Sequence, residues 1–87
     1  MNLESVQEHF KEQIALGNYE VIRKDITTFH EKKLWIDVLV DNRPFVIVIT
    51  ERGNVKQDGQ IDENYLQLGE FNNNQKQLIY ERFRDEI

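Results

Sequence analysis

The 87-residue chain has no cysteine, one proline, four glycines and one tryptophan. Without cysteine there is no disulfide framework, no thiolate nucleophile and no cysteine-based zinc site. No linker, repeat or low-complexity tract beyond Asn72 to Asn74 divides the chain, so residues 1–87 are expected to form a single domain. No apolar run approaches the roughly 20 residues of a membrane span. The opening MNLESVQEHF is acidic and amphipathic where a secretory leader would be basic and then apolar. A soluble, cytoplasmic protein is the expectation. Basic residues are also scarce: 11 Lys and Arg stand against 16 Asp and Glu, a net charge of −5. That balance disfavours direct attachment to nucleic acid or to an anionic membrane and points to a protein partner.

What is present is apolar patterning. Asn2 can cap a helix in which Leu3, Val6, Phe10 and Ile14 share one face, and Gly17-Asn18 ends it. Tyr19 to Thr28 is rich in β-branched and aromatic residues and reads as a first strand. Leu34 to Val40 and Phe45 to Thr50 flank the turn sequence DNRP and form a tight hairpin with Pro44 at its end. From Arg52 to Gly69 the turn signals Gly53-Asn54 and Asp58-Gly59 surround scattered apolar residues, and both a weak fourth strand and a short helix stay open. Asn74 with Gln77 proposes a capping box for a last helix carrying Ile79, Phe83 and Ile87, with Tyr80 beside them. The expected fold class is α+β, a three-stranded antiparallel meander flanked by an N-terminal and a C-terminal helix.

The hairpin LWIDVLVDNRPFVIVIT is apolar on both faces. A two-residue turn puts Leu34, Ile36, Val38 and Val40 with Phe45, Ile47 and Ile49 on one face, which must be core. An odd-length connection adds Ile22 and Ile26 to that face. The other face then collects Tyr19, Val21, Phe29, Trp35, Leu39, Val46 and Val48 among Arg23, Asp25, Asp37 and Thr27. Two fates are open for this mixed face. Either the second helix or the Ile61 to Leu68 segment covers it, or part of it remains a contact surface, for a homodimer or another protein, with Trp35 at its centre.

Residues with a chemical role are few. His9 and His30 have no ligand at helical spacing and no nucleophile pattern nearby, and both read as surface residues. DGQIDEN, Asp58 to Asn64, has its acids in the wrong order for a calcium loop and puts Gly69 where the twelfth-position glutamate belongs, so it reads as a turn. No catalytic, cofactor or metal site is expected. Glu4, Glu8 and Glu12, four apart, line one helix face with like charges about 5–6 Å from one another. With Asp58, Asp62, Glu63 and Glu70 they could form a carboxylate track spaced like the phosphates of a nucleic-acid strand.

The order of a helix, a meander, an acidic loop-rich segment and a C-terminal helix, in a short acidic chain without cysteine, resembles the small anti-CRISPR proteins of phages of Gram-positive bacteria. The resemblance runs the length of the chain in layout and charge and rests on no motif, so no site residue is carried over from it. It implies a non-enzymatic inhibitor that binds an RNA-guided defence nuclease of the host cell, some such proteins occupying the site for the short DNA motif beside the target. The candidate partner-binding residues are then the acids Glu4, Glu8, Glu12, Asp58, Asp62 and Glu63, with Trp35. The alternative is a homodimeric structural or regulatory module of a phage or mobile element that closes its mixed aromatic face against a second copy.

Overall fold

A computed structural model describes residues 2–58 and 66–87. Helix α1 (Leu3–Leu16) is followed by strands β1 (Glu20–Thr27), β2 (Lys33–Val40), β3 (Arg43–Thr50) and β4 (Val55–Gln57), then by helix α2 (Asn73–Phe83) and a 3₁₀ turn (Arg84–Glu86). The strands form one antiparallel sheet in the order β1-β2-β3-β4. The fold is α+β as the sequence implies, with the fourth strand resolved as a short piece at Val55.

Local chemistry sets the boundaries. The Ser5 N–H donates to Asn2 Oδ1 at 2.8 Å and caps α1. At the other end Gly17 adopts φ +82°, and the Gly17 and Asn18 N–H groups donate to Ile14 O and Gln13 O, a Schellman ending that needs a residue tolerant of positive φ. Asp41 and Asn42 both have positive φ, 50° and 63°, so the β2–β3 hairpin turns on these two residues with the twist of a type I′ turn. Strand β3 consequently starts at Arg43, and Pro44 lies inside the ladder opposite Leu39 instead of closing the turn. The cap of α2 also lies earlier than the sequence suggests. Asn72 and Gln75 form the reciprocal box, with Gln75 N–H donating to Asn72 Oδ1 at 2.8 Å and Asn72 N–H to Gln75 Oε1 at 2.9 Å.

The hairpin register is the expected one: Leu34 faces Ile49, Ile36 faces Ile47 and Val38 faces Phe45. This face is fully buried, and both helices pack on it. Phe10 and Ile14 come from α1, Ile79 and Phe83 from α2, and Leu68 and Phe71 from the segment between β4 and α2. The Phe10 and Phe45 rings meet at 5.1 Å between centroids. Leu3 is exposed and contributes nothing to that core.

Two expectations for the sheet are corrected. The second helix does not cover the mixed face, because α2 joins α1 on the apolar side, where Ile79 and Phe83 find apolar partners. Leu68 likewise lies in the apolar core, and residues 61–65 of the proposed covering segment lie outside the described residues. The connection from Thr27 to Lys33 does have the odd length that sets Ile26 opposite Leu34. A bulge between Val21 and Arg23, however, displaces Ile22 from the ladder and brings Val21 opposite Val38, reversing the face expected for Val21. Nor are the isoleucines core: Ile22 is 55% and Ile26 46% exposed. All eight residues of β1 are exposed, so the strand overhangs the helix layer.

Candidate functional site

Strand β2 carries Trp35 on the face opposite the helices, flanked in register by Asp25 of β1 and Val48 of β3. Its indole Nε1–H donates to Thr27 Oγ1 at 2.8 Å, which turns the half-buried ring toward β1. Around it Arg23 Nη2 lies 3.4 Å from Asp25 Oδ2, and Asp37 stands opposite Arg23. Arg23, Asp25, Thr27, Trp35 and Asp37 line a shallow recess of about 220 Å³. Leu39 is half-buried on this side, and Val46 and Val48 are buried. An aromatic centre with apolar neighbours and a mixed-charge rim has the anatomy of a protein contact surface.

The carboxylates sit elsewhere. Glu4, Glu8 and Glu12 are exposed on α1, on the helix side of the sheet. The row is broken in its middle, where Lys11 Nζ lies 2.5 Å from Glu8 Oε1 and also donates to Glu70 O at 3.3 Å. Gln7 Nε2 donates to Gln67 O at 2.6 Å, so this flank of α1 is tied to the chain before α2. Asp58 follows β4, its N–H donating to Val46 O at 2.9 Å, and its carboxylate lies 3.4 Å from Lys56 Nζ. Lys56 stands opposite Val48, on the Trp35 side. Asp62 and Glu63 lie outside the described residues. The structure thus separates the glutamate row from Trp35 by the thickness of the sheet.

Both histidines are exposed. His9 Nε2 lies 3.1 Å from Asp41 Oδ2, and the His30 ring leans against Phe29 at a tilt of 60°, with centroids 4.1 Å apart. Among the described residues no group of three His, Cys, Asp or Glu side chains is placed to hold a metal ion. A wider recess of about 540 Å³ lies between β4, the 67–70 stretch and the start of α2, with Lys33, Lys56 and Lys76 on its walls. Glu31, which also lines it, keeps a buried Oε1 without a hydrogen-bond partner among the described residues.

Sequence reasoning allows a peptide to add to an exposed edge of the meander and leaves open which edge is free. Among the described residues strand β1 ends the sheet, carries exposed Val21, Ile22 and Ile26, and leads to Phe29, which is 81% exposed. The run Arg23-Lys24-Asp25 between the two isoleucines was the available signal, since charged residues are a common protection of edge strands. Compared with family models, curated proteins and solved structures, the chain gives no match.

Proposed function

We propose that this chain is a non-enzymatic binding protein that inhibits by contact, its partner a host defence nuclease of the RNA-guided type. The observation that carries the contact reading is the Trp35 face: both helices pack on the opposite side of the sheet, leaving an aromatic centre rimmed by Arg23, Asp25 and Asp37. The nuclease as partner class rests on the resemblance in layout and on the net charge of −5, which favours approach to a basic protein. Among the described residues no helix is long and apolar enough to cross a membrane, and the proposed site of action is the cytoplasm of the bacterial cell.

A second version of this reading places the contact on α1, where Glu4 and Glu12 stand exposed as phosphate substitutes. The pairing of Glu8 with Lys11 weighs against a continuous track. One experiment separates the two. Binding to a guide-loaded nuclease is measured for Trp35→Ala and for the triple change Glu4→Gln, Glu8→Gln, Glu12→Gln, each checked for an intact fold. Contact through the sheet face predicts a loss of about 2 kcal/mol or more for Trp35→Ala, as for an aromatic anchor. Contact through α1 predicts a salt-dependent loss in the triple variant alone. Absence of binding by the unaltered chain removes the nuclease from the proposal.

A further inference from the structure

The free edge of β1 is self-complementary. We infer that its occupant is a second copy of this chain, joined β1 to β1 in antiparallel fashion about a two-fold axis through Lys24. The inference is independent of the nuclease reading and concerns a different surface from the Trp35 face.

The register follows from symmetry and charge. A two-fold axis that joins two sheets edge to edge stands perpendicular to them, so the helix-bearing sides of both copies face the same way. Residues that meet across the axis must then share a face, which allows the axis to pass through a residue of the strand and not between two. An axis on Arg23 or Asp25 sets that charge against itself, and one on Ile26 sets Lys24 and Asp25 opposite Thr28 and Thr27; none of the three brings Arg23, Lys24 or Asp25 opposite a charge of the other sign. An axis on Ile22 falls on the bulge, where the ladder is already broken. An axis on Lys24 sets Arg23 of each copy opposite Asp25 of the other, on the regular side of the bulge. Opposite charges directly across an antiparallel ladder are a stabilising combination.

The remaining conflict, Lys24 against Lys24, is relieved within each chain. Lys24 Nζ lies 2.5 Å from Glu86 Oε1 of the 3₁₀ turn, so two ion pairs and not two bare cations meet at the axis. The exposed Ile26 of β1 lies along the joined edge and gains cover there. The product is one continuous sheet in which β1 is no longer an edge, with four strands from each copy and the helices all on one side.

The test is the solution mass of the full chain and of two charge reversals, followed over a wide concentration series by light scattering and sedimentation, with circular dichroism as the check on folding. The unaltered chain is expected at twice its 10.5 kDa mass, and Arg23→Asp and Asp25→Arg are each expected at the single-chain mass. An equimolar mixture of these two variants is expected to regain the double mass, because the first offers two carboxylates to the two guanidinium groups of the second. Recovery in the mixture cannot come from variants that fail to fold. An unaltered chain that stays at the single-chain mass throughout overturns the inference. So does a dimer that survives both reversals and is lost in Trp35→Ala, which would place self-association on the Trp35 face.

Discussion

Ile26 and Ile36 are the same residue type on the same side of one sheet, yet one is half-exposed and the other fully buried. Alternation along β1 and β2 assigns both to the apolar face, and for Ile36 that is sufficient because β3 and the helix layer enclose it. For Ile26 it is not, since burial there depends on how far the helices extend across the sheet, a tertiary fact that no strand periodicity contains. Unfolding in urea should show the difference. Ile36→Ala is expected to cost about 2–5 kcal/mol, as for a fully enclosed aliphatic side chain, and Ile26→Ala under about 1 kcal/mol, as for a partly solvated one. Trp35 was legible as a candidate contact residue because it falls among charged residues on the mixed face and tryptophan dominates contact energetics. Its orientation was not, because that follows from the Thr27 hydroxyl diagonally across the ladder.

At the level of elements, the sequence located both helices and the hairpin but misplaced the second cap. Asn72, Asn73 and Asn74 are interchangeable by propensity, and the choice is made by Gln75, whose buried side chain reaches back to the Asn72 N–H. Asn72→Ala is therefore expected to lower stability by about 1 kcal/mol, while Asn74→Ala should stay within about 0.5 kcal/mol, both read from thermal or denaturant midpoints. The end of α1 offers a second test. Its last turn has no basic residue, and the cation comes from α2: Arg82 donates to Ala15 O at 2.7 Å and to Ile14 O and Tyr19 Oη at 3.2 Å each. Removing these charge-assisted bonds in Arg82→Ala should cost about 1–2 kcal/mol, with Arg82→Lys intermediate, because a lysine keeps the charge at the helix end but not the fork. Gly17→Ala is expected to be at least as damaging as the loss of the arginine. It combines a left-handed backbone with a Cβ 3.0 Å from the Arg82 guanidinium carbon.

For the whole molecule, two helices on one side of the sheet and an exposed strand β1 imply uneven protection. In hydrogen exchange the outward-facing β1 amides of a single chain should exchange fastest among the three long strands, and β2 and β3 slowest, because only the latter lie under the helices. Protection of β1 that rises with protein concentration would report the same edge being covered. The order of the two helices and three long strands was readable because their ends are marked by asparagine, glycine or a change of period, whereas β4 is too short to show a period and stayed open. The distribution of the candidate contact residues was not readable, because neighbours along a strand point to opposite sides of the sheet and helices choose one side together. Glu4, Glu8 and Glu12 on α1 and Trp35 on β2 thus came from one list and belong to two surfaces.

The Arg82 contacts with α1 also have a kinetic meaning. The meander pairs neighbouring segments, whereas Arg82 reaches carbonyls 67 and 68 positions earlier in the chain. Closing so long a loop is entropically costly, so this contact is expected to form after the folding barrier has been crossed. Loss of the arginine should then leave the refolding rate nearly unchanged and accelerate unfolding by the full amount of the lost stability, which makes a single surface side chain a determinant of how long each molecule stays folded.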